Sequence, residues 1–136
     1  YAVDVAMAGA LLGMERLGCN IFVVRPGKRA FPLHNHHATE ELFVILEGTG
    51  SFRRGNDSIP VEPGDMLACP AGGADSAHQI VNDGTQPLRY LAISTRAELD
   101  VIEYPDSGKT RVIAGGTGFD LLVGRDAATP GYWDGE

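Results

Sequence analysis

The chain has 136 residues, a length that suits one domain with its own core. Its formal net charge of −7 argues against nucleic acid and anionic membranes as partners, and no apolar run approaches the ~18 residues of a membrane span. Eighteen glycines and eight prolines fall between short apolar runs, where they mark turns rather than disorder.

Residues 6–17 space their apolar side chains as a short helix, weakened by Gly9 and Gly13. From Cys19 onward the pattern is strand and turn. Residues 19–24 (CNIFVV) read as a strand that stops at RPGK. Residues 41–46 (ELFVIL) form a continuous apolar strand, expected to be covered on both faces. Strands follow at 48–54, 58–62 and 66–70, separated by the turns GND and PGD. The glycine-rich AGGAD leads into a strand at 77–81, and the longest clean strand is LRYLAIST, 88–95. Residues 99–104, 111–114 and 119–123 are further strands, and the tail from 126 to 136 is irregular, with Trp133 as an anchor. Nine or ten short strands at this spacing predict an all-β sandwich or barrel. Cys19 and Cys69 lack CxxC spacing and read as free thiols of a reducing compartment, which points to the cytoplasm.

The chemistry concentrates in residues 34–41, HNHHATEE. On an extended segment His34 and His36 project from one face, a geometry that lets two imidazoles chelate one ion. His37 points the other way and reads as a polar residue at the lip. A carboxylate nearby suits a first-row divalent metal. Parity favours Glu40, but one extra loop residue would select Glu41, so local physics leaves that choice open. His78 lies on an apolar strand after two hairpin turns, where an unpaired imidazole is costly to bury. SGKT, 107–110, is no phosphate-binding loop, because Glu103 stands where that pattern needs glycine. Ser76 and Ser94 show no triad partners.

These residues resemble the cupin superfamily. Its first motif, G(X)5HXH(X)3–4E(X)6G, is matched by Gly27, His34, His36, Glu41 and Gly48, with six residues rather than five before His34. Its second, G(X)5PXG(X)2H(X)3N, is matched by Gly64, Pro70, Gly72, His78 and Asn82, with five residues rather than two before His78. PAGGADSAHQIVN, RYLAIST and EYPDSGK are similar to small single-domain bacterial cupins, some described as sugar-phosphate isomerases. The resemblance implies a double-stranded β-helix (a jelly-roll cupin barrel) with a short N-terminal segment. It implies a single domain over 1–136, with its barrel core at about 19–123. It also implies a divalent ion (Fe, Mn, Ni, Co or Zn) held by His34, His36, Glu41 and His78.

In that fold Phe43, Ile45, Ile80, Tyr90 and Ala92 would line the pocket, with Tyr90 a possible proton donor. Leu42, Val44 and Leu46 would face outward and need a cover; cupins often supply it by dimerising, so a homodimer is expected, the alternative being cover by the N-terminal segment or the tail. The expected function is a metal-dependent enzyme on a small oxygenated or sugar-like substrate, of isomerase type. Lys28, Arg29, Arg53 and Arg89 are its candidate phosphate contacts. The alternatives are a non-catalytic sugar-binding or sensing module and an Fe(II)-dependent dioxygenase or decarboxylase.

Overall fold

Turn glycines and short apolar runs divide the chain into thirteen antiparallel strands among the described residues, 1–124 and 131 of the computed structural model. In order they are β1 (Val3–Ala6), β2 (Leu17–Val24), β3 (Lys28–Arg29), β4 (Asn35–His36), β5 (Glu41–Glu47), β6 (Gly50–Arg54) and β7 (Asp57–Val61). β8 (Met66–Cys69), β9 (His78–Asn82), β10 (Leu88–Thr95), β11 (Leu99–Tyr104), β12 (Lys109–Ala114) and β13 (Phe119–Val123) complete the set. One helical turn, α1 (Ala8–Leu11), precedes β2, and a 3₁₀ turn spans Ala74–Ser76. The expected tail anchor, Trp133, lies outside the described residues.

The strands form three sheets. One has the order β1-β2-β10-β5-β8, and the others run β3-β9-β6-β7 and β13-β12-β11-β4. Alternation along the strands decides the interior. Phe43 and Ile45 of β5, Tyr90 and Ala92 of β10 and Val24 of β2 pack against Phe52, Val61 and Ile80 from the β3-β9-β6-β7 sheet. The result is an all-β double-stranded β-helix with its core between facing sheets.

Two expectations are corrected. The helix expected over 6–17 is reduced to Ala8–Leu11, because residues 3–6 pair with β2 and Gly13 turns the chain at φ +73°. Gly9 lies so close to β2 that a Cβ there would sit 2.9 Å from the Cys19 nitrogen. β5 is covered on one face alone. Phe43 and Ile45 are buried, whereas Leu42 and Val44 are half-buried and Leu46 is exposed. A bulge explains Leu46: Tyr90 pairs with Ile45 while Arg89 pairs with Glu47, so Leu46 has no partner residue.

The hairpin glycines have specific work. Gly48 takes φ +78°, and a Cβ on it would fall 2.3 Å from the Pro87 carbonyl oxygen. Gly116 has a similar φ of +76° with open space around it. Gly48→Ala is therefore expected to destabilise the fold by at least about 2 kcal/mol, and Gly116→Ala by about 1 kcal/mol. Urea unfolding of the two variants measures the difference, which isolates the clash from the backbone strain.

Candidate metal centre

Three short elements converge at one end of the barrel. The segment before β4 brings His34, β4 itself brings His36, and β9 begins at His78. His34 and His78 form an antiparallel bridge, with His78 N–H donating to the His34 carbonyl (2.8 Å) and His34 N–H to the His78 carbonyl (3.2 Å). The residues inserted before His78 form the 3₁₀ turn Ala74–Ser76, so the longer spacing is absorbed without moving β9. Asn82 closes the other end of β9. Its buried amide donates to the carbonyls of Val24 and Gln86, each at 2.8 Å.

β5 supplies the carboxylate. Glu41 shares the inner face with Phe43 and Ile45, so its side chain enters the barrel. Glu40 is exposed and spends its N–H on the Thr95 hydroxyl. The loop before β5 therefore shifts the parity, which simple counting from His36 missed. Around Glu41 Oε2 stand three imidazole Nε2 atoms: His78 at 2.9 Å, His36 at 3.6 Å and His34 at 3.9 Å. The ligand atoms of His34, His36 and Glu41 all lie within 4.8 Å of one another. His78 is outside that set and reaches it through its hydrogen bond to Glu41. His37 lies outside the cluster, its Nε2 3.0 Å from Glu103 at a half-exposed position.

Each clustered ring is anchored through Nδ1. His34 Nδ1 donates to the Pro32 carbonyl at 2.8 Å, His36 Nδ1 to Asp100 Oδ2 at 2.6 Å, and His78 Nδ1 to the Ser76 carbonyl at 3.2 Å. The partners of His34 and His36 accept hydrogen bonds and do not donate them, so in these two rings Nδ1 carries the proton and Nε2 faces the centre, whereas His78 Nε2 donates to Glu41. Three such nitrogens and a carboxylate form a donor set that fits a divalent cation. The 2.9 Å contact between His78 and Glu41 needs a proton, which a cation in its place would release.

Asp100 was not foreseen. It is buried on β11 and also accepts a hydrogen bond from the Ala38 N–H at 2.9 Å. Burial would raise its carboxyl, but the hydrogen bonds from His36, Thr39 and Ala38 outweigh that and hold it below the ordinary range. The sequence signal was parity: Asp100, Ile102 and Tyr104 share one face of β11, so a carboxylate stands in an inward row. Glu41 behaves alike. Burial pushes its carboxyl up, while the His78 hydrogen bond and the fields of His36, His78 and His34 bring it down overall. Burial and the neighbouring His78 lower the His34 imidazole to about 4.

The cluster opens on a cavity of about 250 Å³. Phe43, Tyr90 and Ala92 line it, as does Ile102, and Phe22, Phe31 and Tyr104 add further rings. Ile45 and Ile80 do not line it. Ile45 lies two residues beyond Phe43 on β5 and Ile80 two beyond His78 on β9, where side chains fill the barrel, and both are almost fully buried. Tyr90 is buried, and burial, then Glu41 and Cys69, push its phenol well above the ordinary range. Lys28, Arg29, Arg53 and Arg89 are absent from the lining: Arg53 pairs with Asp106 and Arg89 with Glu47. Cys19 and Cys69 are free thiols, and burial followed by the field of Glu41 pushes Cys69 up to about 12.

Comparison with known proteins agrees with this architecture. Residues 20–94 match the cupin domain family, and the chain belongs to it. A provisionally named sugar phosphate isomerase from Acidithiobacillus ferrooxidans is 32% identical, with a TM-score of 0.84 over 94% of this chain and 80% of that one. A sugar phosphate isomerase from Silicibacter pomeroyi superposes with a TM-score of 0.85 over 96% of this chain and 81% of that one. At 23% identity that likeness is one of fold. Auxin-binding protein 1 of Arabidopsis thaliana is 29% identical over 110 residues, which are 74% of this chain and 53% of that protein. An uncharacterised protein of Methanocaldococcus jannaschii is 37% identical over 62 residues, 46% of this chain and 47% of its own length. The chain thus spans about half the length of the curated relatives it matches. Among the described residues, no helix is long and apolar enough to cross a membrane.

The pH dependence of the metal-free protein follows from these groups. His34 titrates near 4 when folded but near 6.5 when unfolded, so the unfolded chain binds more protons between those values. The stability it contributes is complete above about pH 6.5 and falls as pH drops toward 4; Glu41 and Asp100 extend the loss to lower pH. Urea unfolding in EDTA from pH 7 to 4 is expected to show this slope, and His34→Leu to flatten its upper part.

Proposed function

We propose that this cupin is a metal-dependent enzyme in which His34, His36, Glu41 and His78 hold one divalent ion against a small, oxygenated, sugar-like substrate. The observation that carries the reading is the convergence of three Nδ1-anchored imidazoles on a single Glu41 oxygen at the inner end of an aromatic cavity. A first-row divalent ion there supplies a Lewis acid for a carbonyl or hydroxyl pair. Asp100 holds His36 in the tautomer that presents Nε2, and the rings of Phe22, Phe31 and Phe43 exclude water. Tyr104 is the proton-bearing side chain of the lining that lies outside the ligand set and is not buried in the core, which makes it the candidate to exchange a proton with substrate. The 32% identity to a protein named as a sugar phosphate isomerase supports an isomerase.

Elemental analysis of the purified or reconstituted protein should find about one metal ion per chain, lost in His36→Ala. Isomerase turnover on a panel of sugar phosphates should disappear with the metal. A chain that stays metal-free after reconstitution, or turnover that survives chelation, overturns the reading. Asp100→Asn should weaken metal binding by about 10- to 100-fold, read as a dissociation constant by chelator competition.

A binding role without turnover is the second reading, supported by the likeness to auxin-binding protein 1. A decarboxylase is supported by a TM-score of 0.60 and 25% identity to a predicted oxalate decarboxylase from Thermotoga maritima, and O₂ uptake or CO₂ release would reveal it.

The outer face of the five-stranded sheet supports a homodimer. It carries Ile21, Val23, Leu42, Val44, Leu91 and Ile93, with Met66 65% exposed beside them. Sedimentation should give a dimer for the native chain and a monomer for Val44→Glu.

A further inference from the structure

The cavity beside the cluster has one cationic side chain among the described residues, Arg111. Its placement follows from strand register. His36 pairs with Ile102, Ile102 with Arg111, and Arg111 with Leu122, so these residues form one row across β4, β11, β12 and β13. Two strand spacings separate His36 from Arg111, roughly 10 Å between their backbones. His36, Ile102 and Arg111 all line the same cavity, so the row runs along its wall from the cluster outward.

Beyond Arg111 the space continues. An adjoining cavity of about 540 Å³ shares Pro32, Tyr104 and Arg111 and adds Ser107 and Lys109. Lys109 is two residues from Arg111 on β12 and so faces the same side. It forms no ion pair among the described residues.

The guanidinium is held but not consumed. Asp120 accepts from Arg111 Nε at 2.7 Å and from Nη2 at 2.5 Å, which engages one edge of the fork. The Tyr104 side chain also hydrogen-bonds the guanidinium. Of arginine's five N–H donors, Asp120 takes two and Tyr104 one, which leaves donors for a second anion. Arg111 and Asp120 together are neutral, and Lys109 leaves the mouth locally positive on a chain whose net charge is −7. A negative protein that takes an anionic substrate needs such a local reversal of sign.

We propose that Arg111, supported by Lys109 and oriented by Asp120, is the anion-recognising end of the cavity. The substrate then carries a phosphate or carboxylate on a short carbon chain whose oxygenated end reaches His34, His36 and Glu41. The identity of that inner end rests on the metal-enzyme reading; the anion end does not.

Isothermal titration of the full chain with ribose, ribose 5-phosphate, gluconate and inorganic phosphate tests this, with metal content measured on the same samples. Ribose 5-phosphate or gluconate should bind at least about tenfold more tightly than ribose, and whichever gains identifies the anion as phosphate or carboxylate. Arg111→Gln should abolish the gain without changing metal content. Asp120 is half-exposed, so losing its partner leaves no buried charge; Arg111→Gln combined with Asp120→Asn removes even that imbalance and should abolish the gain equally. Equal binding of charged and neutral sugars, or a gain that survives both variants, overturns the proposal. An Arg111-dependent gain in a chain that takes up no metal sustains the anion end while removing the metal reading. Metal-loaded chain with Arg111-independent binding does the reverse.

Discussion

Two backbone hydrogen bonds between His34 and His78 hold the site together. Residues 44 positions apart are locked opposite each other, with their ring centroids 4.8 Å apart. Everything else is placed relative to that bridge. β4 carries His36 two residues on, β9 runs back into the β3-β9-β6-β7 sheet, and β5 of the five-stranded sheet brings Glu41 to the pair. A one-residue slip would turn either imidazole out of the barrel, because side chains alternate. The register is defended from both ends, by the Ala74–Ser76 turn before His78 and by the buried Asn82 amide after β9.

The cluster costs stability only as the pH falls. Burial keeps His34 neutral to well below the usual histidine range, and Glu41 remains ionised because imidazoles surround it. A low-dielectric pocket strengthens each of these interactions and penalises any group left without a partner. Anchoring every Nδ1 to an acceptor removes the freedom of the rings to turn, so the donor atoms are organised before any ligand arrives.

The family match and the cavity divide the chain differently. Residues 20–94 hold all four clustered side chains, whereas Asp100, Ile102, Tyr104 and Arg111 lie beyond it on β11 and β12. The shared barrel thus supplies the donor set, and the C-terminal strands supply the carboxylate behind His36, a cavity wall and the cation at the mouth. One fold hosts many chemistries, and here part of the cavity wall lies on strands beyond the two motifs.

Sequence by itself determined the strand content, the turn glycines and the shared face of His34 and His36, because these depend on period-two alternation and turn chemistry between near neighbours, whereas His78 was reached through the motif resemblance. The strands at 88–95, 99–104 and 119–123 were legible to the residue. Glu41 was legible through motif spacing but not through parity, since a loop between β4 and β5 breaks the alternation. The four-residue β1 was lost in an apparent helix, because its pairing with β2 outweighs local propensity. Tertiary structure alone decided that Asp100 backs His36 and that Arg111 stands on the cavity wall. Both facts follow from β4 lying beside β11, and parity could put Asp100 on an inward row of β11 but could not say that β11 pairs with β4, which lies more than sixty residues earlier in the chain.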